Sequence, residues 1–179
     1  MSSNTSFPIS DIGPTLITGG AGFIGSYIVD KLLSNNVETT VLDNLSTGTL
    51  SNLKQWDGNN NFNFLKRDLN DISTSSGIFE NIKTVFHMAA DPEVKTGFEH
   101  PENSYKENIE NTFLLLEQIR KSNVKTIVFA SSSTVYGEPS IIPTPEDYGP
   151  LFPISPYGAS KLACEALISS YCHTYDMTG

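Results

Sequence analysis

The sequence predicts an α/β protein, a Rossmann-like doubly wound parallel sheet with helices on both faces, and three observations predict it. Short runs rich in β-branched and aromatic residues alternate with segments of helical period. A glycine-rich turn stands directly between the first such run and the first helical segment. An aspartate, Asp43, closes the second run about twenty residues further on.

The elements follow in chain order. Residues 1–13, "MSSNTSFPISDIG", are expected to form a flexible tail, and residues 14–179 one domain, because no linker divides the remainder. The strand candidates are "TLIT" (15–18), "TTVLD" (39–43), "FNFLKR" (62–67), "TVFHMA" (84–89) and "TIVFAS" (126–131). Most are too apolar for a sheet with one wet face, so they read as buried parallel strands. Between them, Ile24, Ile28 and Leu32 recur on one face of a helix, as do Ile109, Phe113 and Leu116 in the segment from Pro101 to Ser122. Strand and helix alternation with connections of this length implies right-handed crossovers over a parallel sheet. "WDGNNN" (56–61) reads as an exposed loop. "GEPSIIPTPEDYGPLFPISP" (137–156) is too proline-rich for a helix and stands where it would cover a site.

Composition excludes several function classes. Eleven basic against 20 acidic residues give a net charge of −9, which disfavours nucleic acid or an anionic membrane as a general partner. No run approaches the length of a membrane helix, and the start lacks the basic end and apolar core of a signal peptide, so a cytoplasmic location is expected. Cys164 and Cys172, eight residues apart on one predicted helix, read as reduced packing residues. His87, His100 and His173 share no ligand spacing with them, and no metal site is predicted.

Chemistry begins at "TLITGGAGFIGSYIVDKLL" (15–33). Gly19 allows the tight turn, Gly22 lets backbone approach a diphosphate, and Gly25 lets helix and strand pack closely; the helix N-terminus adds free N–H donors. Asp43 is placed to accept hydrogen bonds from both adenosine ribose hydroxyls and to repel a 2′-phosphate, which favours NAD over NADP. A second constellation is "SPYGASK" (155–161), where Pro156 suits the first turn of a helix and puts Tyr157 and Lys161 at i and i+4 on one face. A free tyrosine ionises near pH 10, and a nearby ammonium favours the phenolate, so such a pair makes a general base. Before it comes "FASSSTVYGE" (129–138), a strand ending in hydroxyls at the sheet edge where α/β ligands bind.

These elements, together with "DNLSTG", "HMAA" and "NIENT", resemble the extended short-chain dehydrogenase/reductase superfamily and its NAD-dependent epimerase/dehydratase family, from about Thr15 to the last residue. Within the family the chain is most similar to the nucleotide-sugar 4-epimerases. The resemblance implies bound NAD, interconversion of UDP-glucose and UDP-galactose through a transient 4-keto sugar, and a homodimer formed by two helices per subunit, Pro101 to Ser122 and Pro156 to Tyr175. It implies that Gly19, Gly22, Phe23, Ile24 and Gly25 meet the diphosphate and that Asp43, Asn44, Ser46, Thr47 and Gly48 surround the adenosine ribose. Asp68 and Leu69 border the adenine, Ala89 and Ala90 line the path to the nicotinamide, and Asn108 braces the site. Tyr157 is then the base, Ser132 steadies the substrate oxygen, and Lys161 holds the nicotinamide ribose.

Two departures accompany the resemblance. Sugar dehydratases of the family carry an acidic pair after the reactive hydroxyl, and here those positions are Ser133 and Thr134, which argues against a dehydratase. Some 4-epimerases place a lysine after the two alanines; this chain has Asp91 and Pro92 there, with Lys95 the nearest replacement. Family members also continue into a further strand and a small substrate domain, so the chain is expected to be an N-terminal portion with little turnover of its own. Two other readings stand beside the epimerase: a dehydrogenase of the same superfamily acting on another nucleotide sugar or a simple carbonyl compound, and a non-catalytic NAD-binding relative.

Overall fold

The computed structural model describes residues 9–74, 77–93 and 96–179. The five strands are β1 (Thr15–Thr18), β2 (Thr39–Asp43), β3 (Phe62–Lys66), β4 (Thr84–His87) and β5 (Thr126–Phe129), and they pair in parallel in the order β3-β2-β1-β4-β5. The sequence places β1 and β2 at these same residues. The runs at 62–67, 84–89 and 126–131 each end in the structure one or two residues earlier, because Arg67, Met88, Ala89, Ala130 and Ser131 turn out of the sheet toward a cleft. Beyond β5, Thr178 pairs in parallel with Thr126.

Among the described residues, the α-helices that accompany the sheet are α1 (Phe23–Leu33), α2 (Thr96–Glu99), α3 (Pro101–Asn103), α4 (Asn111–Ile119) and α5 (Pro156–Thr174). A π-helical stretch, Ser104–Glu110, joins α3 to α4. Its wider turn shifts the register of everything after it. Hence the buried face of α4 is Thr112, Leu115, Leu116 and Ile119, while Phe113, expected inward from simple periodicity, is exposed. On α1 the buried face is Gly25, Ser26, Val29, Leu32 and Leu33, and Ile24 points outward at the start of the helix.

Two apolar clusters lie on opposite faces of the sheet. Leu16, Leu42, Val85 and Ile127 pack with Leu115, Leu116, Ile119 and Ile168 of α4 and α5. Ile17, Val41 and Ala21 pack with Val29, Leu32 and Leu33 of α1. Alternate residues of the same strands feed each cluster, as a sheet covered on both faces requires. Ile9 and Ile12, within the span read as a flexible tail, form a short 3-10 turn packed on the second cluster. Trp56, read as loop, ends a 3-10 turn and donates through its indole N–H to Asp30 Oδ1 at 2.7 Å. Residues 137–155 contain no helix or strand. Among the described residues, no helix is long and apolar enough to cross a membrane.

Candidate active site

Between β1 and β4 the chain reverses its direction of winding, and in open α/β sheets ligands bind beyond the strand ends at that point. A cleft of about 690 Å³ opens there, within the size range of small-molecule and cofactor sites. The glycine turn after β1 forms one wall. Gly19 holds φ at +70°, and a side chain there would drive into Ala89 N, 2.6 Å from a built Cβ. At Gly25 a Cβ would collide with the Gly19 carbonyl, so only glycine lets α1 rest on the turn. Gly22 caps α1 without a side chain, so the first-turn amides of Phe23, Ile24 and Gly25, residues that line the cleft, have no side-chain cap. Bare amides at a positive helix end make an anion site on an acidic protein.

Asp43, at the end of β2, is buried and already ties the turn in place: Oδ2 accepts from Ala21 N at 2.9 Å and Oδ1 from Leu45 N at 2.8 Å. Each oxygen has capacity for a further donor, and Asp43 lines the cleft with Asn44, Ser46 and Thr47. Gly48 does not line it; a Cβ there would meet Ala21 at 2.8 Å, so that glycine serves packing of the loop on the turn. Asp68 and Leu69 line the next stretch. Burial pushes the Asp68 carboxyl up, but hydrogen bonds from Asn44 and Asn70 outweigh it and hold the group below its ordinary range.

The far wall carries the second constellation. Ser155 Oγ accepts from Gly158 N at 3.0 Å, and with Pro156 in the first turn it fixes the start of α5. Tyr157 and Lys161 both line the cleft. Lys161 is only 3 % exposed, and this burial depresses its pKa against the weaker raising effect of Cys164 and Glu165. Ala89, Ala90 and Ala130 complete this end, together with Ser131, whose hydroxyl donates to Glu165.

Two expected residues stand behind the wall. Ser132 does not line the cleft; its Oγ accepts from Thr134 Oγ1 at 2.9 Å and caps a 3-10 turn, Ser133–Tyr136. Asn108 is buried in the π-helical stretch, donating through Nδ2 to Ser160 Oγ at 2.8 Å and accepting at Oδ1 from Asp91 N at 2.8 Å. It thereby ties the turn after β4 to α5. The structure adds Arg67, His100, Asn103, Glu107 and Asn111 to the lining, none of which lies in a glycine, hydroxyl or Tyr/Lys pattern. Burial, then the charges of Asp68 and Asp91, push Glu107 up. The long loop 137–155 contributes no lining residue. Lys95 lies outside the described residues. Among the described residues no group of three or more His, Cys, Asp or Glu side chains is placed to hold a metal.

Beneath the cleft runs a buried polar chain. His87 Nδ1 is hydrogen-bonded to Thr18 Oγ1 at 2.7 Å and Nε2 to Thr112 Oγ1 at 2.9 Å, and Thr112 meets Cys164 Sγ at 3.3 Å. Burial first, and then the Lys161 charge, push His87 down to about 3. An unfolded histidine binds a proton below about pH 6.5, so stability is fully present above that pH and is lost as pH falls toward about 3. From pH 7 to 5 the loss from this one group is about 2 kcal/mol, or roughly 4–8 °C in melting temperature. Thermal melts of His87→Gln should therefore show a correspondingly smaller acid shift than the wild-type protein; equal shifts would assign the acid sensitivity elsewhere.

Residues 16–179 match the GDP-mannose 4,6 dehydratase family. The chain belongs to that family. It is 39 % identical over 166 residues to UDP-glucose 4-epimerase of Mycolicibacterium smegmatis, covering 91 % of this chain and 52 % of that protein. It is 40 % identical over 166 residues to UDP-glucose 4-epimerase of Bacillus subtilis, covering 90 % and 48 %. Among solved structures, the UDP-glucose 4-epimerase of Thermus thermophilus, determined with NAD, superposes with a TM-score of 0.81 at 37 % identity over 92 % of this chain and 52 % of that one. The chain thus spans about half the length of the relatives it matches.

Proposed function

We propose that residues 14–179 are the NAD-binding domain of a nucleotide-sugar 4-epimerase that interconverts UDP-glucose and UDP-galactose. One observation carries the reading: the buried Lys161 and its neighbour Tyr157 line the same cleft as the bare turn at Gly19, Gly22 and Gly25. The cleft fits NAD on this chain's own features, with uncapped amides for a diphosphate, a buried carboxylate at Asp43 for ribose hydroxyls, and an ammonium at the other end. Bound NAD would supply a hydride acceptor that later returns the hydride to the same carbon.

The chain's residues do the rest. Tyr157 takes the proton of the sugar 4-hydroxyl, a positioned base of this kind being worth about 10²- to 10⁴-fold in rate. Lys161 favours the phenolate and holds the nicotinamide ribose. The 4-keto sugar turns over before its carbon is reduced from the opposite face, and Tyr157 gives the proton back. An epimerase is favoured over a dehydratase because Ser133 and Thr134 offer no carboxyl group for removal of water. The exposed Tyr105 and Phe113 on the helical segment before β5 support a homodimer built on that segment and α5.

The test is to supply the full-length protein that carries this domain with NAD and UDP-galactose and, separately, with simple alcohols and ketones. Formation of UDP-glucose without net NADH supports the reading. Net NADH accumulation, or turnover of simple carbonyl compounds alone, would assign a dehydrogenase instead.

A further inference from the structure

Lys161 is a buried cation whose carboxylate neighbour, Glu165, acts on it only through its charge. Among the described residues it forms no ion pair, and it lines the cleft. Two aromatic rings lie close to it: Nζ is 4.5 Å from the centre of the Phe129 ring and 6.0 Å from that of Tyr157. An ammonium within about 6 Å of a ring face is attracted by the electron-rich face, and more strongly where water is excluded.

The ring itself is held in place. Phe129 is the last residue of β5 and is in register with His87, the last of β4. Their rings stack at 5.6 Å with an interplanar angle of 30°. Thr18 from β1 and Thr112 from α4 fix the imidazole through its two nitrogens. The next two residues, Ala130 and Ser131, line the cleft; Phe129 does not, so its ring lies behind the cleft wall with the Lys161 ammonium over its face.

We propose that Phe129 is a positioning residue, its ring face carrying the Lys161 ammonium at the catalytic end of the cleft and His87 backing the ring from beneath. This deepens the proposed function, since the cation matters there for the base and the nicotinamide ribose, but the contact itself is independent of NAD. Without the ring, a desolvated ammonium would lose one source of negative potential. The titratable groups facing Lys161 are His87 from β4 and Tyr157, Cys164 and Glu165 from its own helix.

The experiment replaces Phe129 by phenylalanines bearing one, two and three ring fluorines, which keep the shape and drain the face of electron density. The Lys161 pKa is read from the NMR signal of its ¹³C-labelled ε carbon, identified by its loss in Lys161→Arg. The pKa should fall stepwise across the series, by about half a unit to one unit in all. Phe129→Trp should keep the wild-type value and Phe129→Leu should fall with the most fluorinated ring. A flat series, or Trp and Leu behaving alike, overturns the platform. Calorimetry of NAD binding on the same samples separates the two readings: a stepwise series in a protein that does not bind NAD upholds the platform and overturns the cofactor assignment.

Discussion

On the proposed epimerase reading, Tyr157→Phe in the full-length protein is expected to lower the interconversion of UDP-galactose and UDP-glucose by about 10²- to 10⁴-fold while leaving NAD affinity within a few-fold of wild type. The substitution removes one hydroxyl from a half-buried ring on the first turn of α5 and leaves the helix cap, Ser155 to Gly158, untouched. Lys161 keeps its place over Phe129, because that contact does not pass through the phenol. A loss in turnover with binding preserved marks an interaction made in the transition state. Progress curves with UDP-galactose and a parallel NAD titration check both halves. Turnover within tenfold of wild type would remove Tyr157 from the role of base.

Gly25→Ala should abolish most NAD binding by another route. The added carbon would collide with the Gly19 carbonyl and crowd Gly20, 2.7 Å from its Cα, so α1 must lift from the turn. Overpacking of this kind costs roughly 1–3 kcal/mol, a fall of about 2–12 °C in melting temperature at this chain length. The amides of the first turn move with the helix, and NAD affinity should drop at least about tenfold. Asp43 would feel the change as well, through its bond from Ala21 N. A thermal melt and a calorimetric titration on one preparation check the pair; an unchanged affinity would show that the diphosphate does not rest on this turn.

Much of this architecture was legible because each signal had a local cause. β1 and β2 are short apolar runs bounded by a glycine turn and by Asp43, and both bounds are visible in the sequence. The Ser155-Pro156 cap likewise announces α5. What escaped depended on three-dimensional register. Phe113 faces solvent because the π-helical stretch before it rotates α4, and no periodicity in that segment reveals the extra residue per turn. In the sequence His87 is only one of three histidines without metal-ligand spacing; the fold brings Thr18 and Thr112 to its two nitrogens. His100, Glu107 and Asn111 join the cleft from the helical segment before β5, positions set by packing against the turn after β4. Gly48 and Ser132 show the converse. Each belongs to a motif that points at the ligand, yet Gly48 packs on Ala21 and Ser132 caps a 3-10 turn.

The central claim is that the cleft holds NAD, its diphosphate on the amides of α1 and its adenosine ribose against Asp43. Isothermal titration of the chain with NAD and then NADP tests this most directly. The account predicts saturable binding of one NAD per chain, at least about tenfold tighter than NADP because a buried carboxylate meets the 2′-phosphate. Absence of NAD binding, or NADP bound as tightly as NAD, would contradict it.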